Sequence, residues 1–199
     1  MGVDGSGIDG AAYLDVVHTA QDAPAWLDRL IGAYSTYGLA LFGALMVAAW
    51  WRARGQGPER AVRALAVPLV TVAAFGVSSL LKQVLREARP CQSLHVTVLE
   101  TCPAAGDWSF PSNHATLAAA AAVALLFVSR RLGAVAVVAA VLMGAARVWV
   151  GAHYPHDAAA GLLVGAAVAL LAAWTVRHVP AALPERLARG PLRPLLAGR

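Results

Sequence analysis

The sequence predicts an all-α, polytopic membrane protein that folds as one helical bundle. Of its 199 residues, 59% are hydrophobic and 14% are charged, whereas soluble domains carry about 25% charged residues. The apolar residues form runs about as long as a bilayer-spanning helix. The arginines gather in short segments between these runs, so the net charge of +5 indicates membrane topology and anionic lipid rather than nucleic acid.

Five apolar segments predict about five transmembrane helices. We expect them over residues 34–51, over 61–85, from PSNHATLAAA to SRRLG, over 133–150, and from within HYPHDAAAG to about Val176. Each is about long enough to cross ~30 Å of hydrocarbon at 1.5 Å per residue. The preceding stretch, DGAAYLDVVHTAQDAPAWLDRL, is too polar to span a bilayer and predicts an interfacial N-terminal helix.

The distribution of charge predicts three regions and an orientation. An acidic leader covers residues 1–32, a membrane domain covers 33–178, and a basic tail covers 179–199. Because the arginine-rich loops and the tail lie on one side of the bundle, that side is predicted to be cytoplasmic and the N-terminus to be outside. Gly161 and Gly165 form a G-x-x-x-G pattern, which predicts close helix packing.

Polar residues gather at the other, outer ends of the helices. They are Lys82, Arg86 and Arg89 with Pro90; Ser112, Asn113 and His114 after Pro111; and Arg147, His153, His156 and Asp157. Ionisable groups near membrane depth are costly and usually face a site or one another. Any one cluster alone is explained equally well by helix-end residues that cap or reach towards the interface.

The cations of these clusters have few acidic neighbours in the sequence. Buried cations need an anionic partner, yet Asp157 is the only acid close to Arg147 in the sequence. We therefore predict a pocket short of negative charge, which a bound phosphate would complete. Free backbone N–H groups where the third helix starts would add to this anion site.

The spacing of His153 and Asp157 suits nucleophilic catalysis. If the fifth helix begins there, residues four apart lie on one face within hydrogen-bonding reach. A carboxylate that holds one imidazole nitrogen leaves the other free to attack. The alternative is a metal site formed by His153, His156 and Asp157. The nearby cations argue against this alternative because a metal ion would repel them.

Three motifs together resemble a known family. They are KQVLREARP with Lys82 and Arg89, PSNH with Ser112 and His114, and RVWVGAHYPHD with Arg147, His153 and Asp157. In this order they resemble the type 2 phosphatidic acid phosphatase superfamily, which includes lipid phosphate phosphatases, bacterial undecaprenyl diphosphate phosphatases and the soluble vanadium haloperoxidases. The chain departs from the family pattern at Asn113, where glycine is frequent, and at Ala146, where many members have serine.

The resemblance implies a role for each motif residue. His153 would be the nucleophile that forms a phosphohistidine, Asp157 would orient it, and His114 would protonate the leaving oxygen. The phosphoryl oxygens would be held by Lys82, Arg89, Ser112, Asn113 and Arg147. The family requires no cofactor and no metal. His156 occupies a position that the family pattern leaves free, so it receives no role.

A site on the outer membrane face suits a lipid phosphate as substrate. By analogy, we expect hydrolysis of undecaprenyl diphosphate to undecaprenyl phosphate in the cell membrane. The alternatives are phosphatidic acid phosphatase, phosphatidylglycerol phosphate phosphatase and lipid phosphotransferase. A non-enzymatic anion-binding transporter or scaffold is a further alternative. A transporter would more naturally carry charges at mid-membrane and inverted repeats, whereas this sequence shows no internal repeat.

Both cysteines, Cys91 and Cys102, fall in the same predicted outer loop. Outside the cytoplasm, paired cysteines favour a disulfide. The alternative is two free thiols.

Overall fold

A computed structural model describes residues 2–176, 182–191 and 193–196. Within these ranges the chain is helical, and its one β pairing is an isolated bridge between Val3 and Glu87. The helices are α1 (Ser6–Gln21), α2 (Ala25–Tyr37), α3 (Leu39–Ala53), α4 (Pro58–Leu85), α5 (Pro90–Ser93), α6 (Asn113–Leu126), α7 (Arg130–Trp149), α8 (Pro155–Val176), α9 (Ala182–Arg189) and α10 (Arg193–Leu196). The predicted all-α fold class is confirmed.

The number of spanning helices differs from the expected five. In the described part of the chain, α4, α7 and α8 are each long and apolar enough to cross a membrane. Helices α2 and α3 meet this criterion only as a pair bent by 54°, which raises the count to four. Helix α6 has 14 residues, so it extends only about 21 Å at 1.5 Å per residue.

Helix α6 forms the centre of the bundle and packs against α4, α7 and α8. Its alanines are buried on nearly every side, which lets the neighbouring backbones approach closely. A Cβ atom at Gly161 of α8 would lie 2.5 Å from the carbonyl oxygen of Ser112, and one at Gly165 would overlap that of Thr116. The close packing predicted from the G-x-x-x-G pattern is therefore present between α8 and α6.

The outer faces of the bundle expose large apolar side chains. Leu69 and Val84 of α4 and Leu163 of α8 are 71%, 76% and 72% exposed. Soluble proteins seldom expose continuous apolar surface on this scale, whereas lipid accommodates it without cost.

The acidic leader folds as two helices, and the first is attached to the bundle. Tyr13 and Val17 of α1 are buried against Val148, Tyr154 and Ala158. Helix α2 leads directly into α3 through the 54° bend. In the tail, α9 and α10 are described, whereas the predicted boundary at residues 178–179 lies outside the described residues.

Candidate active site

The three polar clusters meet at one end of the bundle. The chain reverses direction between α4, α6, α7 and α8, so the end of α4, the start of α6, the end of α7 and the start of α8 lie together. The loop over residues 94–112 closes over this end. The backbone N–H of Ser112 donates to the carbonyl oxygen of Asp157 at 3.0 Å, which ties the start of α6 to the start of α8.

His153 and Asp157 form a buried pair. The Nδ1 atom of His153 lies 3.4 Å from Oδ2 of Asp157, and the two side chains are 2% and 0% exposed. The prediction that the fifth helix begins within HYPHDAAAG is confirmed, because α8 begins at Pro155, so Asp157 is helical and His153 is not. His153 instead lies in the turn after Gly151, whose φ of +80° suits glycine.

The contacts of His153 indicate which ring nitrogen carries the proton. Nη1 of Arg89 lies 3.4 Å from Nε2 of His153. Because a guanidinium can only donate, Nε2 must present its lone pair, and the ring proton belongs on Nδ1, facing Asp157. Burial of the ring lowers the pKa of His153 to about 3, so the ring is neutral at physiological pH.

Ser109 contacts both residues of the pair. The sequence did not predict this serine as a site residue. Its Oγ donates to Oδ2 of Asp157 and lies 3.3 Å from Nδ1 of His153. The backbone N–H of Tyr154 donates to the same Oδ2 at 2.9 Å. Ser109 stands outside the three motifs, and nothing in its local sequence distinguishes it from an ordinary loop serine.

Two of the motif cations are held by carbonyl oxygens around the pair. Lys82 is buried, and its Nζ donates to the carbonyl oxygens of Trp108 at 2.6 Å and Ser109 at 2.8 Å. Arg89 donates to the carbonyl oxygen of Ala152 at 2.9 Å, next to His153. These contacts fix both cations beside the imidazole.

The predicted shortage of carboxylates is wrong. Arg147 forms a two-pronged ion pair with Glu100, at 2.6 Å and 2.9 Å, and Arg89 pairs with Asp107 at 3.0 Å. Both acids lie in the 94–112 loop, distant in sequence from the arginines that they neutralise. Proximity along the chain therefore could not reveal them.

The start of α6 carries three polar residues, Ser112, Asn113 and His114, whose side chains have different surroundings. Oγ of Ser112 is buried and has no hydrogen-bond partner among the described residues. The side chain of Asn113 is directed to α4, where its Oδ1 accepts from Ser78 at 2.6 Å. His114, in the first turn, lies within electrostatic reach of Arg147 and Glu100.

His156 belongs to a second polar group behind Asp157. Its Nδ1 lies 2.7 Å from Oδ1 of Asp9, and its Nε2 lies 2.9 Å from Oε1 of Glu87. In the described ranges, Glu87, His156 and Asp157 have metal-ligand-type atoms within 4.8 Å of one another, and His153 is outside this set. Because carboxylates already occupy both ring nitrogens of His156, a metal ion would have to displace one of them.

Cys91 and Cys102 form a disulfide whose Cα atoms are 6.0 Å apart. The bridge closes the segment that carries Glu100. It therefore restrains the carboxylate that faces Arg147.

Residues 61–180 match the family model of the PAP2 superfamily. The chain belongs to this superfamily. With its apolar helices, it is a membrane-integral lipid phosphatase. Undecaprenyl-diphosphatase BcrC of Bacillus subtilis is 29% identical to this PAP2 protein over 157 residues, 78% of each chain. Lipid A 1-phosphatase of Rhizobium johnstonii is 41% identical over 102 residues, 49% of this chain and 41% of its own length.

The fold of this PAP2 protein is similar to that of a solved relative. The transmembrane PAP2-type phosphatidylglycerolphosphate phosphatase from Bacillus subtilis aligns with a TM-score of 0.64 and 20% sequence identity. The alignment covers 86% of this chain and 88% of that chain. The likeness therefore extends beyond the motifs to most of the bundle.

Proposed function

We propose that this PAP2 phosphatase hydrolyses undecaprenyl diphosphate to undecaprenyl phosphate on the extracytoplasmic face of the membrane, through a phosphohistidine at His153. One observation carries the mechanism: Nε2 of His153 lies 3.4 Å from Nη1 of Arg89, while Nδ1 lies 3.4 Å from Oδ2 of Asp157. A neutral imidazole beside a fixed cation is arranged to attack a phosphoryl group that the cation binds.

The reaction proceeds in two displacements. Nε2 of His153 attacks the terminal phosphorus, the bond from phosphorus to the bridging oxygen breaks, and His114 gives a proton to the departing lipid phosphate. Asp157 stabilises the imidazolium ring that forms. In the second step, His114 takes a proton from water, the water oxygen attacks phosphorus, and the phosphorus–nitrogen bond breaks to release phosphate and restore His153.

Two buried atoms without partners support a phosphate at this site. They are Oγ of Ser112 and Nε of Arg147, neither of which has a hydrogen-bond partner in the described segments. Buried polar groups are rarely left unpaired, and phosphoryl oxygens would accept from both. Lys82, Arg89 and the backbone N–H of Asn113 provide the remaining donors that we assign to phosphate.

The choice of substrate is supported by the extent of likeness to known enzymes. The relative that aligns over 78% of this chain is named an undecaprenyl-diphosphatase. The relative with 41% identity is named a lipid A 1-phosphatase, so a phosphomonoester on another lipid is the second candidate. Arg52 and Arg54 at the end of α3, with Arg130 and Arg131 at the start of α7, lie opposite the site and support an outward-facing active site by the positive-inside rule.

A phosphate-release assay in detergent tests this proposal. Undecaprenyl diphosphate, phosphatidic acid and phosphatidylglycerol phosphate are compared, each with and without EDTA. We expect the highest kcat/KM on undecaprenyl diphosphate, no effect of EDTA, and a loss of at least about 10³-fold in His153→Ala. His18→Ala is the matched control, because His18 is exposed on α1. Full activity of His153→Ala, or an inactive wild type on every substrate, would overturn the proposal.

A further inference from the structure

We propose that His156 is a positioning residue for the Asp157 carboxylate, and that Asp9 of the N-terminal leader holds His156 in place. This inference rests on the proposed function, in which Asp157 orients the nucleophile. It assigns a role to the histidine that the family pattern leaves free and to the acidic leader outside the motifs.

Three hydrogen bonds hold His156, two through its ring and one through its backbone. Asp9 accepts from its backbone N–H at 2.7 Å and from Nδ1 at 2.7 Å, and Glu87 accepts from Nε2 at 2.9 Å. The ring also stacks between Tyr154, at 5.3 Å, and Phe110, at 5.9 Å. With acceptors at both nitrogens, the arrangement suits the protonated imidazole, which donates from both.

The fixed ring lies directly behind the catalytic carboxylate. Nε2 of His156 is 3.7 Å from Oδ1 of Asp157. That oxygen is buried and has no hydrogen-bond partner in the part of the chain that the structure describes. Its companion Oδ2 contacts Ser109, Tyr154 and His153. A cationic ring beside the unpaired oxygen stabilises the ionised carboxylate, which must compensate the imidazolium that forms at His153.

The leader is built to deliver Asp9 to this point. Helix α1 is kinked at Asp9, whose φ of −143° and ψ of 26° are not helical. The kink lies four residues before Tyr13, whose O–H donates to the carbonyl oxygen of Gly151 at 3.0 Å. Helix α1 is thus held against the turn that carries His153 while its kink faces His156.

The first residues of the leader enclose the other side of the network. Val3 donates to the carbonyl oxygen of Arg86 at 3.0 Å and accepts from Ala88 at 2.9 Å, on both sides of Glu87. A Cβ atom at Gly5 would overlap Oε1 of Glu87. The leader backbone therefore covers the carboxylate that accepts from His156, and Glu87 is only 6% exposed.

Kinetics of full-length variants in detergent, on the lipid substrate that wild type hydrolyses, test the inference. We expect Asp9→Asn and His156→Gln each to lower kcat by about 10-fold or more with KM nearly unchanged, because neither residue binds substrate. The double variant should be no slower than His156→Gln alone, since both changes remove one linked interaction. Asp9→Glu keeps the carboxylate and should recover activity relative to Asp9→Asn. Asp15→Asn, an exposed acid on the same helix, should behave as wild type.

Each outcome separates this inference from the proposed function. An active wild type with an unchanged Asp9→Asn variant overturns the role of the leader and leaves the lipid phosphatase intact. Additive losses in the double variant, or a rise in KM without a fall in kcat, contradict positioning through His156. Activity that is lost in EDTA and restored by Zn²⁺ would instead assign Glu87, His156 and Asp157 to a metal site. An inactive wild type refutes the proposed function itself.

Discussion

A single oxygen of Asp157 contacts both His153 and Ser109: its Oδ2 lies 3.4 Å from Nδ1 of His153 and accepts from Oγ of Ser109. The same oxygen also accepts from the backbone of Tyr154. The carboxylate is therefore oriented by contacts on three sides before any substrate binds. This preorganisation makes the pair sensitive to changes that keep shape and remove charge.

Replacing the carboxylate by an amide tests the function of the pair. Asp157→Asn should lower kcat by about 10²–10⁴-fold, because the amide cannot compensate the imidazolium and can favour the wrong tautomer of His153. KM should change little, since Asp157 does not bind the phosphoryl group. Steady-state kinetics on the preferred lipid measure both constants. A variant within 3-fold of wild-type kcat, a tolerance of about 0.6 kcal/mol, would contradict an orienting role.

Ser109 provides a milder test at the same oxygen. Ser109→Ala removes one hydrogen bond to Asp157 and should lower kcat/KM by about 5–10-fold, which corresponds to about 1 kcal/mol. Ser129→Ala is a suitable control because Ser129 caps α7 at the end of the bundle opposite the His153–Asp157 pair. Equal activities of the two variants would show that the contact of Ser109 has no catalytic effect.

Local patterns in the sequence were sufficient for the fold class and for finding which helix ends meet. The motif residues and the apolar runs are recognisable because each depends on a fixed local spacing. Glu100, Asp107 and Ser109 could not be predicted in this way. Each depends on how the 94–112 loop folds over the site, and loop geometry follows from tertiary contacts rather than from periodicity.

Residue type alone also failed to identify the partner of His156. Its contact with Asp9 joins positions 147 residues apart. An acidic leader ahead of a membrane domain suggests a surface segment, whereas tertiary contacts such as the packing of Tyr13 against Tyr154 bring α1 to the site. Contacts between residues so far apart in the sequence depend on how the helices pack in the folded bundle.

The ion pair of Glu100 with Arg147 is expected to stabilise the folded protein. Arg147 is 4% exposed, so Glu100→Gln leaves a buried guanidinium without a counter-charge. We expect the free energy of unfolding to fall by about 2 kcal/mol, less than for a fully buried pair because Glu100 is partly exposed. Thermal unfolding in detergent measures the loss.

Inorganic phosphate distinguishes a site effect from a general loss of stability. If phosphate binds beside Arg147, it should raise the unfolding temperature of Glu100→Gln more than that of wild type. Glu59→Gln removes an exposed pair with Arg63 and should change stability by less than about 1 kcal/mol. Equal phosphate effects on all three proteins would argue against a phosphate beside Arg147.

The disulfide is expected to stabilise the loop that carries Glu100. Cys91 and Cys102 are 11 residues apart, so the double change to alanine should lower the free energy of unfolding by about 3 kcal/mol in the chain-entropy model. Wild type purified without reductant should resist thiol alkylation and become labelled after reduction. Full labelling before reduction would exclude the bridge in the purified protein.

Glu87 is expected to make stability depend on pH. Burial, with the nearby Asp157 carboxylate, raises the pKa of Glu87 from 4.5 to about 7, although His156 opposes the shift. Between these two values the folded protein holds a proton that the unfolded chain has released. The stability that Glu87 contributes to the folded protein is therefore fully present below about pH 4.5 and is lost as pH rises through 7.

Glu87→Gln isolates this contribution because glutamine does not titrate. Wild-type unfolding temperature should fall relative to that of Glu87→Gln as pH rises from about 5 to 8. The groups around Glu87 that carry charge, Asp9, His156 and Asp157, remain in both proteins. Because Oε1 of Glu87 also contacts Nε2 of His156 at 2.9 Å, the difference between the two proteins reports the linked Glu87–His156 pair. Glu59→Gln, at the other end of α4, should follow the wild-type curve. Parallel curves for wild type and Glu87→Gln would show that Glu87 is ionised throughout this range.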